Sequence, residues 1–260
     1  MMKKDLDIRA YNRDAWNKHV DSGDNEWTIP VGPELIKRAR HGDFSVLLTE
    51  NKPVPASWFP PLQGLDVLAL ACGGGQQGPI LAAAGANVTV LDNSPRQLDR
   101  DLEVAEREGL QNLLTVEGDA RNLEMFKNES FDLVFHPVSN LFIPTIRPVW
   151  LEAFRVLRHS GSMLAGFMNP IFYIFDFDEA EKGQMVVRYK LPFNDIDHPE
   201  TADRQITNGW PLEHSHSLTD QLAGQTDAGF HIIGFYEDHH NHTIISEYSP
   251  TYIATRAIKL

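Results

Sequence analysis

Between Asp66 and Met168 the chain alternates short apolar runs with longer stretches whose apolar residues recur at helical spacing. DVLAL (66–70), NVTVLD (87–92), LLTV (113–116), FDLVF (131–135) and SMLAGFM (162–168) predict strands, because each is too short for a helix and rich in residues that suit a pleated surface. Helical segments between them predict a parallel sheet, since parallel neighbours need a long crossover. The first helix should run to about Ala84 and stop at Gly85. The second carries its own boundaries: Ser94 as N-cap, Pro95 at the first helical position, Gln97 closing a capping box and Gly109 at the end. Leu98, Leu102 and Ala105 form its expected apolar stripe. A further helix is expected over 145–158, with Trp150, Phe154 and Leu157 inward, before a turn at Ser160-Gly161.

Outside this block the pattern changes. Residues 1–60 read as irregular and partly helical, and Pro53, Pro55, Pro60 and Pro61 mark a linker into the first strand. From 169 to 215 regularity breaks. IFYIFDFDEAEKG precedes MVVRYKL (185–191), which is expected to be a hairpin strand. A helix over 218–230 resumes the core, followed by HIIGFYE (231–237) and TYIATRAI (251–258). The loop between that last pair holds no crossover helix, which predicts antiparallel pairing. The expected organisation is one domain over 1–260. Residues 1–60 form an N-terminal lid, 61–168 and 212–260 the core, and 169–211 a cap over the substrate.

Composition narrows the partners. The 260 residues are 42% hydrophobic and 23% charged, as in an ordinary globular protein, and the formal net charge is −13. Such a surface repels nucleic-acid phosphates and anionic membranes, leaving a small molecule as the expected substrate. Cys72 is the single cysteine, which excludes a disulfide framework within the chain and suits a reducing, cytoplasmic setting. The start, MMKKDLDIRAYNRD, has no apolar core of a signal peptide, and no run is long enough to span a membrane.

LDVLALACGGGQQGPILAAAGANVTVLD (65–92) then gives the candidate chemistry: strand, glycine-dense turn, small-residue helix, strand and terminal carboxylate. That arrangement holds an adenosine-bearing cofactor, with glycines allowing close backbone approach and Asp92 accepting from ribose hydroxyls. Gly73 to Gly78 satisfy G-x-G-x-x-G literally, so an NAD(P)-dependent oxidoreductase is one alternative. A binding protein without catalysis is another.

VLALACGGG resembles the first motif of class I S-adenosylmethionine-dependent methyltransferases, written VLDLGCGTG. Gly118-Asp119-Ala120 after the third strand, FDLVFHPVS, and RVLRHSGSML before the fifth strand resemble later segments of that family, in order. The likeness spans 65–168 strongly and 212–258 moderately. Ala69, Ala71, His159 and Ser160 depart from the family's usual residues. The resemblance implies a Rossmann-like α/β fold: a seven-stranded sheet, parallel with an antiparallel C-terminal strand, and helices on both faces. It implies S-adenosyl-L-methionine as cofactor and methyl transfer to a small molecule.

Residue by residue, it places the turn Ala71, Cys72, Gly73 and Gly75 beside the methionine tail. Asp92 would take the ribose, with Asn93 and Gln97 flanking the adenosine. Gly118, Asp119 and Ala120 would meet the adenine, and His136 and Val138 would follow the fourth strand beside the cofactor. Residues 11–27 resemble the aromatic N-terminal cover of small-molecule members, which nominates Tyr11 and Trp16.

Displacement at a sulfonium methyl needs alignment more than a dedicated catalytic group. His136 and His216 are the candidate bases, with His214 on the same face as His216. Structural roles are the alternative for each. Phe172, Tyr173, Phe175 and Phe177 suggest an apolar or aromatic acceptor. Asp238 to His242 looks like a ligand string, but its place in a hairpin loop points to a solvated turn, and no metal site is assigned.

Overall fold

The apolar runs become one seven-stranded sheet in the order β3-β2-β1-β4-β5-β7-β6. This is a computed structural model, and it describes residues 6–23 and 25–260; Lys3 and Lys4 of the N-terminal stretch lie outside the described residues. The strands are β1 (Asp66–Leu70), β2 (Asn87–Asp92), β3 (Leu113–Glu117), β4 (Phe131–His136), β5 (Leu157–Met168), β6 (Phe230–Asp238) and β7 (Tyr252–Lys259). β1 to β5 pair in parallel, and β7 is antiparallel to both β5 and β6. Strand order reverses between β1 and β4. In open α/β sheets the crevice at such a reversal, outside the carboxyl ends of the strands, is where ligands bind.

The helices are α1 (Ile8–Ser22), α2 (Pro33–Arg40), α3 (Gln77–Ala83), α4 (Pro95–Glu108), α5 (Arg147–Val156), α6 (Phe177–Glu181), α7 (Pro199–Asn208) and α8 (Gly224–Asp227). Both faces of the central strands are buried. Val67 and Ala69 point into a core shared with Ile80 and Val104, while Leu68 and Leu70 point into one shared with Trp150 and Met163. That explains why the strands read as continuous apolar runs instead of alternating.

α4 has the expected caps: Ser94 Oγ accepts from the Gln97 amide at 3.1 Å, and Gly109 is left-handed. The capping box is only half made, because the Ser94 amide donates to Asp92 Oδ1 at 2.9 Å instead of to Gln97. Leu102 is 45% exposed, so the expected stripe is corrected: the buried face is Gln97, Leu98, Asp101, Val104 and Ala105. A carboxylate, Asp101, occupies a position that an apolar count passes over.

Further expectations are corrected. α5 is shorter than 145–158, and Leu157 already begins β5. Ser160-Gly161 is an irregularity inside β5, with Ser160 at φ 64° and a register shift opposite Phe131 and Leu133, not a turn before the strand. MVVRYKL forms no strand; a single bridge joins Phe175 to Val187, whose side chain is exposed. The helix over 218–230 is a π-helical turn (Thr219–Ala223) running into α8, and Gly229 at φ 111° ends it before β6. The N-terminal segment is more regular than its composition implied, with α1 and α2 both well formed.

Candidate active site

The carboxyl ends of β1, β2 and β3 open onto a cavity of about 490 Å³, within the range of small-molecule sites. Its floor is the turn after β1. Ala71 takes φ 48° and Gly74 φ 120°, and a Cβ on Gly74 would lie 2.3 Å from the Trp27 carbonyl oxygen. A Cβ on Gly73 would come within 2.7 Å of Gln97 Cβ and 3.1 Å of Asp92. Glycine is therefore required at both positions by contact.

Two carboxylates pin this turn. Asp92 Oδ2 accepts from the Gly73 amide at 2.9 Å, and Asp101 Oδ2 accepts from the Gly74 amide at 3.0 Å. Burial pushes Asp92 above the usual carboxylate range, against the amides of Ser94, Gly73 and Asn93 that favour its charge. Burial pushes Asp101 up further, and its Oδ1 has no partner. Cys72 lies between them. Burial, then the charges of Asp101 and Asp92, hold its thiol well above its ordinary value, so it is a small buried filler.

Beside β2, Asn93 is clipped to α1: its Oδ1 accepts from Arg9 Nε at 2.8 Å and its Nδ2 donates to the Arg9 carbonyl at 2.9 Å. After β3, both oxygens of Asp119 accept from Arg121, Oδ1 from its amide and Nε and Oδ2 from Nε and Nη2. Burial alone would raise Asp119, but the hydrogen bonds and charge of Arg121, with Arg9 beyond, bring it below the usual range. Gly118, Ala120, Gln97 and Val138 complete the walls near these groups.

Trp16 reaches the cavity from α1 and packs edge-on against Phe142 at 5.1 Å. Trp27 joins the same wall, an aromatic that sequence reasoning passed over because it lies beyond α1 in irregular chain. Tyr11 does not line the cavity. Its hydroxyl donates to the Trp210 carbonyl at 3.0 Å, tying α1 to the segment after α7. Gly75 also turns away, its carbonyl accepting from the Val31 amide at 2.9 Å.

The expected catalytic histidines fare differently. His136 is fully buried and absent from the cavity wall; Nδ1 donates to the Leu70 carbonyl at 2.8 Å and Nε2 meets the Asn140 side chain. Burial pushes its imidazole below the ordinary value. His216 is buried too, with Nε2 donating to the Asn140 carbonyl at 3.0 Å. Both brace the segment after β4, and neither faces the cavity. His214 sits beside His216 in the same buried layer, where burial and then the neighbouring His216 charge hold it down at about 4.

The histidine-rich loop is a solvated turn at His239, Asn241 and His242, which are exposed, but its start at Asp238 is engaged with the body of the protein. Asp238 is 3% exposed and accepts from Thr49 Oγ1 and the amides of Asn51 and Lys52. That anchors the loop, and His240 joins the cavity wall with Glu50, Phe172 and Tyr252.

Comparison with known proteins adds kinship to this geometry. Residues 68–165 match a methyltransferase domain family. A sterol 24-C-methyltransferase of Aspergillus fumigatus is 38% identical over 101 residues, covering 38% of this chain and 26% of that one. The crystal structure of an S-adenosylmethionine-dependent methyltransferase from Mesorhizobium loti superposes with a TM-score of 0.61 over 78% of this chain and 94% of that chain; at 18% identity the likeness speaks for the fold. The uncharacterized methyltransferase YbaJ of Bacillus subtilis (strain 168) is 47% identical over 253 residues, 96% of this chain and 98% of that protein. Identity of that degree along nearly the full length of both settles the kinship: the chain belongs to the methyltransferase family whose domain it carries.

Proposed function

We propose that this chain holds S-adenosyl-L-methionine across the ends of β1 to β3 and transfers its methyl group to a small molecule in the same cavity. The observation that carries the reading is the Asp92 carboxylate, held at the end of β2 by the Gly73 and Ser94 amides beside a cavity of suitable size. A ribose offers paired hydroxyl donors, and this carboxylate is an oriented acceptor for them. The missing side chain at Gly73 leaves the approach open. Asp119 lines the cavity for the adenine amine, which would displace part of its bonding to Arg121, since each carboxylate oxygen already accepts two hydrogen bonds from that residue. Trp16, Trp27 and Phe142 offer ring faces to a sulfonium and keep water out.

The bound cofactor supplies a methyl carbon already activated by positive sulfur. The protein's task is then alignment and exclusion of water. Ala71, Cys72, Gly73 and Val138 line the floor, and α1, clipped at Asn93, closes over it. His136 and His216 serve as braces in this reading. The acidic composition and the free Cys72 thiol support a small-molecule substrate and a cytoplasmic setting.

Titration calorimetry with S-adenosylhomocysteine tests the proposal. Asp92→Asn keeps the shape and removes the charge. Loss of one charge-assisted hydrogen bond contributes about 1.5–3 kcal/mol, so affinity should fall about 10- to 100-fold. Unchanged affinity, or a preference of the wild type for NAD, overturns it.

A further inference from the structure

With a nucleoside held at the ends of β1 to β3 as proposed, one side of the cavity is left for the acceptor. There Glu50 Oε2 accepts from the Tyr252 hydroxyl at 3.1 Å and lies 3.7 Å from His240 Nδ1. Glu213 Oε2 accepts from the Tyr173 hydroxyl at 2.8 Å, while its Oε1 has no partner among the described residues. The two carboxylates are close enough that both act on Tyr252, raising it after burial has done so. Arg9 and Arg121 are the cavity's lining Arg or Lys residues among those described, and both are engaged with Asp119 or Asn93. Burial pushes His240 below its ordinary value, so it supplies no firm positive charge.

A second, independent group is short of a donor. Gln205 is 7% exposed and contributes to the cavity wall. Its amide nitrogen is directed at Asp195 Oδ2, which fixes the orientation of the amide, and its Oε1 has no partner. Next to these acceptors, the rings of Phe172, His240 and Tyr252 form a stepped stack, with centroids 6.1 and 6.0 Å apart and planes 17° and 13° from parallel.

We propose that the methyl acceptor is a primary or secondary amine on an apolar or aromatic body, its nitrogen bound by Glu213 and Glu50 and its body lying on the Phe172–His240–Tyr252 stack. The inference rests on the methyltransferase reading above. Acceptor atoms without donors, carboxylates with no unengaged cation in the cavity wall and flat apolar rings call for a ligand that brings N–H groups and positive charge. An ammonium has no lone pair to attack with, so it must first lose a proton. Glu213 is placed to take it: burial and the charge of Asp195 push it up to about 7, against the Tyr173 hydroxyl and the Arg204 charge. The ammonium gives one proton to Glu213. The freed lone pair forms the N–C bond as the C–S bond breaks, and the bonding pair stays on sulfur as a thioether. The product leaves as a methylated ammonium, and Glu213 returns its proton to water.

The test is calorimetry on protein saturated with S-adenosylhomocysteine, using phenethylamine, 2-phenylethanol and phenylacetate, then tryptamine and ethylamine with their alcohol and acid counterparts. The amine should bind at least about tenfold more tightly than its alcohol in the aromatic sets, and the acid least. Glu213→Gln should lower amine affinity by about tenfold while S-adenosylhomocysteine affinity, read in the same experiment, stays put. Tyr173→Phe removes the same hydrogen bond but keeps the charge, and should leave amine affinity within about threefold; a loss equal to that of Glu213→Gln would make the role structural. If S-adenosylhomocysteine binds and no set prefers the amine, the inference is overturned and the methyltransferase reading stands. If S-adenosylhomocysteine itself does not bind, the underlying reading fails.

Discussion

Glu213 and His214 are adjacent and titrate in opposite senses. Glu213, pushed up to about 7, takes a proton more readily folded than unfolded. Its contribution is fully present below the ordinary carboxylate range and is lost as pH rises through about 7. His214, held down at about 4, is neutral in the fold where an unfolded histidine would charge. Its contribution is present above the ordinary histidine value and is lost as pH falls toward about 4. The ligand-free protein should therefore be most stable between these limits. Glu213→Gln should raise the thermal midpoint at pH 8, by about 2–4 °C for each kcal/mol recovered, and give no gain at pH 4.5. Melting curves across that range check it, and a gain independent of pH would disprove the titration.

At the scale of elements, periodicity and turn chemistry reached different depths. β1 and β2 begin and end where their apolar runs do, and α4 starts at Pro95, just after its Ser94 cap, as those residues foretell. Those signals are local, so a sequence displays them. Leu102 and MVVRYKL misled because burial depends on what lies opposite: α4 packs Asp101 against the glycine turn, and Val187 has no neighbouring strand. α1 gives a test of which aromatics matter. Trp16→Ala removes a cavity wall and an edge-on pair worth about 0.5–1.5 kcal/mol beyond area, so S-adenosylhomocysteine affinity should fall by up to about tenfold. Tyr11→Phe loses the hydroxyl's bonds to the Trp210 and Gln205 carbonyls, and should cost about 1 kcal/mol of stability with affinity nearly unchanged. Equal affinity losses in the two variants would restore Tyr11 to the cofactor site.

For the whole molecule, the two halves of the cavity were unequally legible. Ala71, Gly73 and Asp92 come from one stretch of chain whose glycine turn and terminal acid announce their task. Glu50, Phe172, Glu213, His240 and Tyr252 meet only through the tertiary fold, and nothing in their neighbours announces it. His240 in particular sits in a loop whose place in a hairpin reads as solvent-facing, until Asp238 is seen to anchor it.

The place of β7 has a consequence of another kind. It follows every other strand in the chain, yet it lies between β5 and β6 and supplies all of β6's pairing. During synthesis, β5 and β6 leave the ribosome with open edges that only a later segment can fill. Such edges recruit other strands, including those of neighbouring copies. A chain stopped at residue 249 should therefore accumulate as aggregate, while supplying 250–260 as a separate peptide during refolding should recover soluble protein. The sheet is finished like an arch whose keystone is set last.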